Sequence, residues 1–193
     1  MSGMQWREYR ARYVESAAYH EAGHVVVAAV QNMPLQERGV CVDGKGSGVS
    51  YYWHRDPGDG ATSPRDQLER ERTIIALHAG RISQGKFFPD CPEEASASDR
   101  STICELLEEM HPANHTARSN TNAKLQMKAD GMVSKNWDAI KELANALLGK
   151  TPQVPTKGGA AQSHGGRGTE KSMSGSEVKK LLEGFYVSVT VRQ

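Results

Sequence analysis

Apolar residues recur at helical spacing from about Val14 to Gln31, through VESAAYHEAGHVVVAAVQ, and Asn32 with Pro34 ends the predicted helix. The pattern then changes. In RGVCVDGKGSGVSYYWH, two short β-branched and aromatic runs flank a glycine-rich turn, Gly44 to Gly48, which predicts a hairpin. RDPGDGATSP reads as a loop. Ser63-Pro64 marks a helix start, because proline is tolerated in a first turn that does not need its N–H. That helix runs to about Ser83, with Leu68, Ile74, Ile75, Leu77 and Ile82 inward. After a second loop, Ser98 or Asp99 caps a helix that carries Ile103, Leu106, Leu107 and Met110. A long helical region follows from about Asn122 to Leu148, and its second half sets Trp137, Ile140, Leu143, Ala144 and Leu147 on one stripe. A short helix is expected from about Ser176 to Glu183. The tail FYVSVTVRQ alternates like a strand whose partner the pattern does not identify. The expected fold is mainly α, with a small β-hairpin or sheet beside the first long helix.

A chain of 193 residues is one ordinary domain. Residues 1–150 read as its core, 151–173 as a flexible Gly/Pro-rich insertion, and 174–193 as a closing helix and tail of the same domain. Lys+Arg (24) and Asp+Glu (23) nearly cancel, which gives no reason to expect nucleic acid or an anionic membrane as partner. Cys41, Cys91 and Cys104 form no paired motif and no disulfide framework. The N-terminal MSGMQWREYRARY lacks the apolar core of a signal peptide, and no stretch is long enough to span a bilayer. A cytoplasmic setting is expected.

The first helix carries the chemistry. HEAGH is an H-E-x-x-H motif. Residues four apart lie one above the other on a helix, so His20 and His24 can both grip one small cation, with Zn2+ the expected ion. Glu21, beside the first ligand, is placed to act as general base toward a water that zinc acidifies to a pKa of about 7. A catalytic zinc needs a third protein ligand and an open fourth position. The extended form of the motif fails, because Val27 and Val30 occupy its Gly and His positions. Glu69 and Glu71 are candidates, but they stand in DQLERERT, where alternating charge fits a solvated face. Asp99, on its own window, reads as a helix cap. His54, His78, His111, His115 and His164 have no paired spacing. GRISQGKF lacks the Ser/Thr that a phosphate loop needs after its lysine.

AAYHEAGHVVVAA resembles the zinc-site helix of the FtsH-type, ATP-dependent zinc metalloproteases. Further segments are similar in the same order: IIALHAGRIS, SASDRSTICELL, VSKNWDAIKELANALLGK and MSGSEVKKLL, so the resemblance spans about Glu15 to Leu182. It implies a mostly helical peptidase domain with His20, His24 and Asp99 as ligands, Glu21 as base, and a small β-element lining the cleft. It further implies that Gly48, Val49, Ser50 and Tyr51 offer a strand edge to an extended polypeptide substrate. Two departures stand out. Where that family usually carries acidic residues shortly after Gly-Arg, this chain has Gln84 and Gly85, and the family's ATPase module and membrane anchor have no counterpart in these residues. The expectation is a stand-alone zinc metalloendopeptidase acting on unfolded or flexible polypeptides, served by a separate ATPase or unfoldase where one is needed; a homo-oligomer is compatible with it. The alternative is a zinc-bound but proteolytically silent interaction module.

Overall fold

The computed structural model describes residues 3–52, 63–92, 96–150 and 170–192. The expected insertion over 151–173 therefore lies mostly outside the described residues, as do His54 and His164. Six α-helices and a small four-stranded sheet make up the fold, in the order α1 (Gly3–Val30), β1 (Leu35–Val42), β2 (Gly48–Tyr52), α2 (Pro64–Phe87), α3 (Ala97–Met110), α4 (His115–Lys135), α5 (Trp137–Leu148), β3 (Lys171–Met173), α6 (Gly175–Leu182) and β4 (Val191–Arg192). The mainly helical architecture with a small sheet is the one expected.

The helix α1 begins well before Val14, and its two halves differ. The N-terminal half is largely exposed, whereas every residue from Ser16 to Ala29 is buried. A helix buried all round must have neighbours on every side, and α1 packs against α2, α5, β1 and β2. Small residues let those neighbours approach: a side chain at Gly23 would press on the Ala79 carbonyl and on Ser83 of α2. Tyr19 stacks on Phe87 at 4.0 Å between ring centroids and lies 5.8 Å from the Trp137 ring, which ties α1 to α2 and α5. The helix ends as the sequence indicates. Asn32 takes a left-handed φ of 59°, its N–H bonds the Ala29 carbonyl, and the Met33 N–H bonds Ala28, a Schellman arrangement.

Strands β1 and β2 pair antiparallel around the glycine-rich turn, as predicted, and the Asp43 carboxylate accepts from the Lys45 and Ser47 amides inside it. Two sheet partners were not legible. Lys171–Met173, at the end of the expected insertion, form β3 antiparallel to β1, so the ordered core resumes before residue 174. In the alternating tail only Val191 and Arg192 pair, parallel to β1 at Leu35, while Val187 and Val189 are buried in the main core. The strand order is β2-β1-β3, which leaves the outer edge of β2 without a strand partner among the described residues.

Helix α2 starts at the expected place. The Ser63 hydroxyl accepts from the Asp66 N–H, and Pro64 occupies the first turn. The helix continues through GRISQGKF to Phe87, so that segment is helical throughout and forms no phosphate loop. The region expected as one helix from about Asn122 divides at Asn136, whose side chain donates to the Met132 carbonyl and ends α4 before α5 begins. The stripe Ile140, Leu143, Ala144 and Leu147 is fully buried. Helix α6 opens with a capping box between Ser174 and Glu177. No helix among the described residues is long and apolar enough to cross a membrane.

Candidate metal centre

His20 and His24 project from the buried half of α1 toward Asp99, in the first turn of α3. Their Nε2 atoms stand 3.0 Å and 3.3 Å from Asp99 Oδ2. The three ligand atoms lie within 4.8 Å of one another, and together they form a cluster able to hold a metal ion. Asp99 Oδ2 is buried, and despite the short approach no N–H is aligned to make a hydrogen bond to it. Such an orphaned oxygen is costly unless a cation supplies the missing partner. Two donors about 2.0–2.1 Å from a tetrahedral ion stand roughly 3.3 Å apart, so these separations suit one ion held between the three side chains. The donor set, two imidazoles and one carboxylate, is one that zinc accepts.

The cap expected at Ser98 or Asp99 sits elsewhere. Ser96 is the N-cap residue, and Asp99 occupies the third helical position, its carboxylate turned to the imidazoles. There the N-terminal end of α3 also favours its negative charge.

The other ring nitrogens fix the orientation of the ligands. His24 Nδ1 lies 2.8 Å from the Ala76 carbonyl oxygen, which accepts only, so the proton sits on Nδ1 and the Nε2 lone pair faces the cluster. His20 Nδ1 is 3.0 Å from Gln84 Oε1, and the Gln84 amide donates in turn to Ser16 Oγ, which donates to the Tyr13 carbonyl. Gln84, at a position where the resembling family is acidic, thus orients His20 through a neutral amide. The motif window could not show this, because Gln84 lies 64 residues beyond His20. The available signal was the small and polar residues Gly80, Ser83 and Gln84 that follow the mostly apolar IIALHA of α2.

Gly80 supplies the room. A methyl group there would fall 2.5 Å from His24 Nε2 and 2.9 Å from His20 Nε2. Gly48 does the same for Glu21: a Cβ would meet Glu21 Cγ at 2.5 Å, so the Glu21 side chain packs directly on the β2 backbone. Glu21 itself is buried and stands outside the three-ligand cluster.

These groups form part of the wall of a cavity of about 570 Å³, with Tyr13, Gly48, Val49, Ser50, Tyr52, Thr73, Leu77 and Leu106 among its other lining residues. Of the four strand residues expected to meet substrate, Gly48, Val49 and Ser50 line it. Tyr51 does not; the Arg38 guanidinium lies 5.5 Å from its ring. Tyr52, next along, takes the place on the cavity side. Glu69 lines the cavity but pairs with Arg72 at 3.1 Å, and Glu71 lies 3.8 Å from Lys128, so neither joins the cluster. His78 and His111 bond Asn122 and Thr121, as unpaired histidines do.

With no metal bound, the charges around His24 favour its protonated form. Burial alone would lower the His24 pKa, but Asp99, Glu21 and the Ala76 carbonyl raise it from 6.5 to about 9. Burial would raise the Asp99 pKa, and the two histidines instead hold it well below the usual carboxylate range. The His24 contribution is complete below pH 6.5 and lost as pH rises through 9, whereas that of Asp99 is present above pH 3.8 and lost on acidification. Thermal unfolding of the chelated protein should therefore show a melting temperature that falls between pH 6.5 and 9. The zinc-saturated protein should show no such fall, since metal binding holds the ligands deprotonated. Parallel profiles for the two forms would contradict this.

No known family model and no curated protein matches the chain.

Proposed function

We propose that the chain is a zinc-dependent metallopeptidase, related to the FtsH-type peptidases it resembles, that hydrolyses peptide bonds of unfolded or flexible polypeptides. The observation that supports this best is the convergence of His20, His24 and Asp99 in a cavity that also holds Glu21, a carboxylate outside the ligand set. A purely structural metal site has no use for a second acid at that position. The adjacent strand supports the choice of substrate. β2 is a terminal strand whose outer edge has no strand partner among the described residues, and an extended peptide can pair along such an edge while its scissile bond enters the cavity.

Bound zinc would supply Lewis acidity and lower the pKa of a water at the open position to about 7. The residues of the chain do the rest. His20 and His24 offer Nε2 lone pairs fixed by Gln84 and the Ala76 carbonyl, and Asp99 balances charge. The Glu21 carboxylate takes the proton of the attacking water and returns it to the leaving amine. Folded substrates would depend on an unfoldase to reach this cavity.

The test is metal content and cleavage of casein or a fluorogenic peptide, measured before chelation, after chelation and after zinc is restored. One zinc per chain, activity lost with the metal and regained with it, and weak zinc retention by Asp99→Ala are expected. Undiminished zinc in Asp99→Ala would remove the ligand assignment. A zinc-loaded chain that cleaves no unfolded substrate would leave the silent interaction module as the better account.

A further inference from the structure

Among the described residues of the sheet, Tyr52 carries the phenol that lines the cavity shared by His20, Glu21, His24 and Asp99. Gly48 and Ser50 of the same strand line this cavity as well, and Gly48 is where Glu21 packs. The ring is wedged against Ala28, Met33 and Ala76, and Ala76 is the residue whose carbonyl holds His24. Apolar contacts thus hold the ring beside the metal ligands. Tyr52 is only partly buried, lines the cavity, and among the described residues its hydroxyl has no hydrogen-bond partner. A phenol so placed normally finds one.

We propose that Tyr52 is a further catalytic residue, whose phenol O–H donates a hydrogen bond to the carbonyl oxygen of the scissile peptide as that oxygen becomes negative. The inference rests on the peptidase reading. Water oxygen attacks the carbonyl carbon, its proton passes to Glu21, and the carbonyl π pair moves to oxygen, where Tyr52 stabilises it without giving up its proton. The pair then returns, the C–N bond breaks, and the proton on Glu21 goes to the departing nitrogen, so one water is consumed per bond cleaved. Preorganised donors aimed at developing charge are among the strongest contributors to such reactions. Burial, with the nearby Asp99 and Glu21 carboxylates, raises the Tyr52 pKa, so the phenol remains a donor at neutral and mildly alkaline pH. Tyr13 also lines the cavity, but its ring lies against Gly46 in the β1–β2 turn, away from the Ala76 backbone that holds His24. Ser50 lines it too, but it is shorter and lies nearer the turn.

Tyr52→Phe in the full-length, zinc-loaded chain tests this, because it removes only the hydroxyl. Expected is a kcat about 10²-fold lower with KM nearly unchanged. Affinity for a phosphinic peptide, which carries a tetrahedral oxyanion, should fall comparably by calorimetry, at wild-type zinc content and melting temperature. Unchanged kcat and phosphinic-peptide affinity would overturn the proposal, as would a rise in KM alone. Lost zinc or a lowered melting temperature would also count against it, because the hydroxyl would then be structural. The two readings fail separately: a Tyr52→Phe protein that cleaves normally removes only the role of Tyr52, whereas a zinc-bound wild type that cleaves nothing removes the peptidase reading and this role with it.

Discussion

Glu21→Gln is expected to lower kcat for peptide cleavage by about 10³–10⁴-fold while zinc content and melting temperature stay at wild-type values. The two halves of that expectation have separate physical grounds. Glutamine keeps the size and shape of the side chain, so the contact with the Gly48 backbone is preserved and α1 keeps its place against β2. Glu21 is not among the three converging ligands, so the metal loses no donor. What goes is the capacity to accept a proton: an amide cannot take one from water near neutral pH, and the step that makes the nucleophile loses its base. Steady-state kinetics on one peptide, with zinc quantified on the same samples, separates these effects. Cleavage retained within tenfold would mean that Glu21 is not the base, and loss of zinc together with cleavage would make it a ligand or a structural group.

Gly80→Ala should weaken zinc binding about 10–100-fold, the range seen when the support of a metal-ligating histidine is disturbed. The added methyl would stand 2.4 Å from His24 Cε1 and within 3 Å of both Nε2 atoms, well inside contact distance. Neither ring can simply swing aside. His24 is held by the Ala76 carbonyl and His20 by Gln84, both on α2, the helix that carries the new methyl. Relief must come from moving α2 away from α1 or from turning the ligands off the site. Overpacking of this kind costs roughly 1–3 kcal/mol, which should also appear as a lower melting temperature in chelator. A Gly80→Ala protein with wild-type zinc affinity would show that α2 does not set the position of the ligands.

The contrast between Glu21 and Gly80 marks where the sequence was informative. Glu21, His20 and His24 are legible because helix periodicity alone brings residues four apart to one face, and no distant element is needed to say so. The buried stripe of α5, the β1–β2 hairpin and the Ser63-Pro64 start of α2 are legible for the same reason: period and turn chemistry are local. Asp99 is an intermediate case. Its window alone indicated a helix cap, and only the resemblance named it as a ligand. The structure moves the cap to Ser96 and turns the carboxylate to the histidines.

Gly80, Gln84, Tyr52 and the strands β3 and β4 belong to the other category. Each acts through a neighbour tens of residues away, and nothing in its own window records that neighbour. Gln84 resembles any polar residue on a helix until α1 and α2 pack and bring its amide to His20. Tyr51 and Tyr52 are equivalent as letters, and only the folded arrangement puts Tyr52 in the cavity wall and leaves Tyr51 out of it. Local periodicity thus determined the helices, the hairpin and the pair of histidines with the acid between them. The third ligand's approach, the orientation of the imidazoles and the facing of the strand were decided by tertiary packing, because they depend on distances between segments that the chain joins only by folding.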